Sequence, residues 1–452
     1  MSGHSKPGKI SWRTNLWLLP TLIVTGALIV FALSERLDWK HYTGAISLPI
    51  WLDQGSAEDA RALLGATSGA IITTLGLVLS ITVLTLSIAA SQFGQRLLRR
   101  YMRDTGTQVC IGVFASAFVF SLLTLLSVTS RPHETQYVPW LTIWISTLWA
   151  LTCIGVLIYY INHVAVSIQV NNVLADLSAD FDCAVHSGLK TGGQPGTPPD
   201  VKADVELRAP CTGYLQSIDY PALVAAASES DAVICFLYRP GQFVMSGSVL
   251  AVAEGRRAAG TGLEHAFPHA VGIGVGRTLR QDPEFAIAQM VEIALRALSS
   301  GINDPNTALT CVNWITEALR RLAESPAGGP LHLDSNGRVR VVERERDFED
   351  VAAAAFAPMR RAAKDSMLLT TSILNAIAFT APLLTNDAVR RALKRQAQLT
   401  FEGFRADSSD RPDVAAAYGR VIDALSKDAL SEGALNQREA SGELLASAPP
   451  QT

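Results

Sequence analysis

The sequence predicts an α-helical integral membrane protein with four transmembrane helices. A cytoplasmic α+β domain containing a small lipoyl-like β-sandwich and a helical bundle is expected to follow. Three observations carry this. Long uncharged apolar runs are confined to the first 165 of 452 residues. Arginine and lysine gather on one set of inter-run loops and acids on the other. Beyond residue 205 the pattern changes to short β-rich runs punctuated by Pro and Gly, and then to capped helical segments.

Four runs are long enough to cross about 30 Å of hydrocarbon as helices, namely 16–33, 66–90, 109–128 and 140–161. Trp12 and Trp17 flank the first, and Trp140, Tyr159 and Tyr160 mark the ends of the last, where amphipathic rings suit the interface. Lys6, Lys9 and Arg13 precede the first run, as in a signal peptide. No small-x-small cleavage site follows, so an uncleaved anchor is expected. Arg96, Arg99, Arg100 and Arg103 crowd the loop after the second run, whereas segment 34–65 carries Glu35, Asp38, Asp53, Glu58 and Asp59. The positive-inside rule then places both termini in the cytoplasm of a bacterial inner (plasma) membrane, in a multi-pass arrangement.

The second run holds most of the polar chemistry. At 100° per residue, Gly69, Thr73, Gly76, Ser80 and Ser87 fall on one stripe that lets a neighbouring helix approach. Thr74, Thr82, Thr85 and Gln92 fall on another face, which Arg96, Arg99 and Arg103 continue beyond the membrane. A hydroxyl line leading into arginines would line an anion-tolerant pore if several copies shared an axis. Hydroxyls that bond their own backbone, and arginines that bind anionic lipid headgroups, account for the same residues without a pore.

The remainder divides into a juxtamembrane helix and linker (166–204), a small β-sandwich (205–256), a helical domain (257–432) and a polar tail (433–452) expected to be disordered. In the β-rich part, "RPGQFVMSGSVL" is similar to the hammerhead turn of lipoyl- and biotinyl-like modules, but no lysine occupies a modification hairpin. Gly272-x-Gly274-x-Gly276 lacks the third glycine and the distant acid of a dinucleotide fingerprint. His265 and His269 are separated by Pro268, which disfavours a helical ligand pair. Six cysteines show no ligand or disulfide spacing.

Two helices follow. Asp282-Pro283 supplies an N-cap and a first-turn proline, and Gly301 a C-cap. Asp304-Pro305 repeats the start signal, so "SSGINDPNTA" is the connector of a helical hairpin. Further helices are expected at about 348–364, 366–381, 386–402 and 412–430, with a strand at 338–343.

"SQFGQRLLRRYMRD", "GYLQSID", "RPGQFVMSGSVL" and "RTLRQDPEFAIAQMVEIALRALSSGINDPNTA" together resemble the bacterial predicted-membrane-protein family termed domain of unknown function 2254. The resemblance spans roughly residues 12 to 430. Ser300 stands where proline is commoner in that family, and Ala286 where glycine is usual. The resemblance implies an inner-membrane location and assigns no catalytic residues.

The 38 basic and 41 acidic residues provide no positive excess for nucleic acid, and no cofactor motif is present. Expected partners are the lipid bilayer, anionic headgroups and further copies of the chain. Three function classes stay open. The first is a homo-oligomeric channel with a cytoplasmic vestibule. The second is a membrane-anchored sensor or scaffold, with Arg277, Arg280, Asp282, Asn303, Asp304 and Thr307 as ligand-binding candidates. The third is an enzyme using a carboxylate cluster of Asp282, Asp304 and Glu292. No nucleophile–base pair accompanies those acids, so a non-enzymatic role is expected.

Overall fold

The computed structural model describes residues 17–44, 56–93, 104–128, 137–167, 169–189, 193–194, 196–255, 262–324, 331–384, 386–405 and 410–425, with backbone alone at 92–93 and 187–189. The chain divides into two compact units, Met1–Asn172 and Val173–Thr452.

In the first unit, among the described residues, four helices are long and apolar enough to cross a bilayer. They are α1 (Leu18–Tyr42), α2 (Ala57–Phe93), α3 (Thr105–Ser127) and α4 (Trp140–Ser167). Even α3, with 23 residues, extends about 35 Å. It lies against all three others. Cys110, Ile111, Phe114 and Ala117 of α3 interlock with Ile71 and Val78 of α2 and with Cys153 and Tyr160 of α4. Gly112 allows α1 to come close, because a Cβ there would meet Ile23 Cδ1 at 2.7 Å. Ala57, Ala60, Leu64, Ile71, Val78 and Ala89 form the single buried apolar face of α2.

Where it is described, the acid-rich segment expected as a loop is largely helical; Asp53 lies outside the described residues. Helix α1 runs on to Tyr42, so Glu35 and Asp38 are helical, and Glu58 and Asp59 fall in the first turn of α2. Ser56 and Asp59 close a reciprocal cap there: Asp59 N–H donates to Ser56 Oγ (3.1 Å) and Ser56 N–H to Asp59 Oδ2 (3.2 Å).

The second unit begins within α5 (Val170–Leu189). Its strands are β1 (Val205–Arg208), β2 (Gly213–Ile218), β3 (Val233–Phe236), β4 (Phe243–Val244), β5 (Val249–Glu254), β6 (Val271–Gly274), β7 (Leu331–Leu333) and β8 (Val339–Val342). They form a five-stranded sheet in the order β1-β5-β3-β8-β7 and a three-stranded sheet in the order β4-β2-β6. Pairing is antiparallel except between β3 and β8, where Ile234 faces Val341. Leu215, Leu223, Ile234, Phe236, Leu250, Phe267 and Val341 fill the core beneath these strands.

The strands of 205–256 therefore do not close into a separate lipoyl-like module. Strand β2 borrows β6 and strand β3 borrows β8, since strands of two to six residues bury too little alone. Helix α6 (Tyr220–Glu229) also interrupts them, started by Asp219, whose carboxylate accepts from Ala222 N–H at 3.2 Å. Pro268, expected to break a helix, sits near the end of α7 (Gly262–Ala270). The carbonyl it leaves unbonded belongs to Glu264, on the exposed side, where water can satisfy it.

Helices α8 (Glu284–Ala297), α9 (Pro305–Glu324), α10 (Phe348–Ala363), α11 (Met367–Thr380), α12 (Asp387–Gly403) and α13 (Arg411–Leu425) make the expected helical bundle. Asp347, Ser366 and Asn386 each accept a backbone N–H at the starts of α10, α11 and α12. Asp182 of α5 takes two hydrogen bonds from Arg321 Nη1 of α9 at 2.7 and 2.8 Å. The polar tail 433–452 lies outside the described residues.

The connector between α8 and α9 corrects one expectation. Its left-handed residue is Asn303 (φ 49°), not Gly301. Asn303 N–H donates to Ser299 O (2.9 Å) and Asp304 N–H to Ala297 O (2.8 Å), which closes the end of α8. Asparagine tolerates this backbone better than most side chains, so the turn itself accounts for Asn303.

Candidate functional site

The faces of α2 are used differently from the sequence expectation. Thr82 Oγ1 lies 2.7 Å from Tyr160 Oη of α4, and that hydroxyl also donates to the Val78 carbonyl at 3.1 Å. Thr85 is buried and bonds Ile81 O (2.8 Å), while Thr74 bonds Ala70 O (2.9 Å). Ser68 meets Ser121 of α3 at 2.8 Å. Thr82 and Thr85 are thus part of the packing within one chain, whereas Thr74 is half-buried and turned onto its own helix. The side chain of Gln92, together with Arg96, Arg99 and Arg103, lies outside the described residues.

The small-residue stripe is the surface left open. A Cβ added at Gly65, Gly69 or Gly76 meets nothing within 4 Å. Thr73, Ser80 and Ser87 are exposed beside them, with the Thr73 and Ser80 hydroxyls turned onto their own helix at Gly69 O and Gly76 O, both 2.8 Å.

Two carboxylates that sequence reasoning passed over fix opposite ends of this bundle. Asp38 of α1, buried, accepts from Leu141 N–H (3.0 Å), Thr142 N–H (2.9 Å) and Thr142 Oγ1 (2.7 Å), and so caps α4 from another helix. The signal was Val138-Pro139, which precedes α4 without any side chain able to cap it. Asp104 caps α3 through Thr107 N–H (2.9 Å) and Thr107 Oγ1 (2.6 Å), and pairs with His163 Nε2 of α4 at 2.7 Å. Burial opposes ionisation of Asp104, but the Thr107 and His163 hydrogen bonds outweigh it and hold its carboxyl below the ordinary value.

In the second unit the six ligand-binding candidates fall into separate groups. Arg277 grips the buried Asp282 in a two-pronged pair, Nε–Oδ2 2.8 Å and Nη2–Oδ1 2.9 Å, with its guanidinium 5.2 Å from the Phe285 ring centroid. Burial pushes the Asp282 carboxyl up from its ordinary value against the pull of Arg277. Capping is a lesser role for this aspartate, through Phe285 N–H, since Arg277 takes both oxygens. Gly241 (φ 95°) closes over the pair, and a Cβ there would overlap Asp282 Oδ2. Gln281 adds a strand-like clasp to Ile218, accepting from its N–H (2.8 Å) and donating to its carbonyl (3.0 Å). Glu284 accepts from Arg346 Nε (2.9 Å) and lies 3.2 Å from Arg239 Nη1 without hydrogen-bond alignment. Arg280 is exposed.

Asp304 caps α9, accepting from Thr307 N–H (3.1 Å) and Thr307 Oγ1 (2.6 Å). The Thr307 hydroxyl, then its N–H, hold the Asp304 carboxyl below its ordinary value. Asp304 adjoins the last residue of α8, whereas Asp282 precedes its first. Fourteen residues of helix put the two roughly 20 Å apart. The structure therefore does not bring Arg277 and Asp282 together with Asn303, Asp304 and Thr307. Glu292 is paired with Arg296 (3.1 Å), and among the described residues no group of three metal-ligating side chains assembles.

Four packed apolar helices followed by a mixed helix-and-sheet unit define a polytopic membrane protein. No solved structure matches the chain. The chain belongs to the predicted-membrane-protein family termed domain of unknown function 2254, whose profile matches residues 13–378. It is 31% identical over 424 residues to an uncharacterized protein of Mycobacterium tuberculosis and to one of Mycobacterium bovis, covering 91% of this chain and 81% of each relative.

Proposed function

We propose that the protein is a homo-oligomeric membrane channel in which α2 of each copy faces its neighbours along Gly65, Gly69 and Gly76. One observation carries this reading: on a 37-residue apolar helix, a Cβ added at Gly65, Gly69 or Gly76 would meet nothing within 4 Å among the described residues. In hydrocarbon, helices associate through close packing of such faces, because burial from water supplies no driving force there. The hydroxyls of Thr73, Ser80 and Ser87 border the same face and would give a shared axis its polar lining. The arginines at 96, 99 and 103 continue the chain at the end of this helix and favour anions at its mouth. Four arginines within residues 96–103, against three basic residues spread over 34–65, favour a plasma-membrane orientation with both termini in the cytoplasm.

The test is disulfide trapping in native membranes of Gly69→Cys and Thr73→Cys, with exposed Cys183 and Cys211 replaced by serine. Bilayer recording of the purified protein accompanies it. Trapping at both positions, none at exposed Leu148→Cys on α4, and an anion-selective conductance are expected. Absence of trapping removes the α2 contact, and trapping without conductance removes the channel.

A further inference from the structure

The C-terminal end of α10 and the exposed side of α12 form a cationic cluster whose guanidiniums meet no carboxylate among the described residues. Arg360 and Arg361 lie in the last turn of α10, and Lys364 follows it. Arg391, Lys394 and Arg395 lie exposed on α12. The two helices meet here: Arg360 Nη1 donates to Gln396 Oε1 of α12 at 2.9 Å, and its aliphatic stem passes 3.8 Å from the Cβ position of Gly403. Lys364 has an acidic neighbour, Asp365, at 3.6 Å. Among the described residues no carboxylate comes within ion-pair distance of Arg360, Arg361, Arg391, Lys394 or Arg395.

Helix ends answer only part of this charge. The carbonyl ends of α10 and α12 each contribute about half a negative charge. Three whole guanidinium charges, on Arg360, Arg361 and Arg395, oppose roughly one unit in total. Burial, then repulsion from Arg361 and Arg395, lowers the hold of Arg360 on its proton. The bond to Gln396 sets Arg360 beside Arg395 on α12, with Arg361 next to it in sequence, and guanidinium forks gathered at one helix junction suit the oxygens of a phosphoryl group, which accept paired N–H donors.

We propose that the junction of α10 and α12 binds a phosphoryl oxyanion, held by Arg360, Arg361 and Arg395 with Arg391 and Lys394 as flanking charge. The same chemistry is offered by a soluble polyphosphate and by the phosphodiester of an anionic lipid. The site is separate from the α2 face on which the channel reading rests, so either can fail alone.

Hydrogen exchange of the full chain in nanodiscs tests it, read on peptides covering 358–366 and 390–399. One arm adds inorganic pyrophosphate to phosphatidylcholine discs, with sodium chloride of matched ionic strength as control. The other replaces part of the lipid with phosphatidylglycerol and adds no pyrophosphate. Slower exchange of both segments is expected in at least one arm, and the protecting arm names the source. In Arg361→Gln/Arg395→Gln the anion concentration giving half-protection should rise at least about tenfold, since two charge-assisted contacts are lost. Both side chains are exposed, so the double variant should melt with the parent chain. No protection in either arm, equal protection by chloride, or an unchanged response in the double variant would overturn the site.

Discussion

Gly241→Ala tests how tightly the Arg277–Asp282 pair is enclosed. Two costs add in the folded state. A side chain at φ 95° leaves the region that L-residues favour, which costs about 1–2 kcal/mol. The new methyl also overlaps Asp282 Oδ2, and that carboxylate cannot swing aside without breaking the two bonds from Arg277, a further loss of about 2–3 kcal/mol. The variant should therefore lose about 3–5 kcal/mol of stability. Asp282→Ala, which strands a guanidinium that is largely covered, removes the obstacle. In that background Gly241→Ala should cost only the backbone part, about 1–2 kcal/mol. The assay is protease resistance of the second unit across a urea series, on the full chain in detergent. A loss below about 1 kcal/mol, or the same loss in both backgrounds, refutes the argument that Gly241 is required by the carboxylate beneath it.

Other consequences can be checked in the same preparation. Asp38→Ala orphans two backbone N–H groups of α4 and should cost about 2–4 kcal/mol in detergent unfolding. Asp38→Asn, which keeps one acceptor oxygen, should cost about half as much. Asn303→Gly should be neutral within about 0.5 kcal/mol and Asn303→Ala should lose about 1 kcal/mol, because the site asks for a left-handed backbone rather than an amide. Thr307→Val should destabilise at neutral pH and converge on the parent chain in acid. The folded carboxyl of Asp304 lies below its unfolded value, so its contribution is complete above about pH 4 and is lost as pH falls through the folded pKa. Melting curves between pH 7 and pH 2 that stay parallel would contradict this.

Periodic signals read well from sequence, while pairings over long separations did not. The starts of α10, α11 and α12 were legible because Asp347, Ser366 and Asn386 act locally, within three residues. The lipoyl-like module rests on the same kind of signal: turn residues and β-rich runs are legible in the sequence, whereas the pairing of β2 with β6 across helix α6, and of β3 with β8 more than 100 residues on, is not. Nothing in a short strand says which partner completes it. Gly301 drew attention as the usual left-handed residue, yet Asn303 occupies that backbone, since turn length and not composition fixed which position had to reverse. On α2 the two faces were separated correctly by angle. Which of them packs inside the chain depended on Tyr160, 78 residues beyond Thr82. The ligand-binding candidates were chosen for being polar and close in sequence, and a helix of 14 residues holds their two groups apart.

The cap that Asp38 places on α4 has a consequence for how the chain is made. Helix α1 carries a carboxylate whose receiving N–H groups lie 103 and 104 residues later in the chain. At synthesis rates of 5–20 residues per second, α1 waits about 5–20 s with that charge unanswered. Asp38 is answered only when Leu141 and Thr142 have been made, so the contact that ties α1 to the start of α4 closes only once synthesis has passed α2 and α3 and reached the last of the four described helices of this unit.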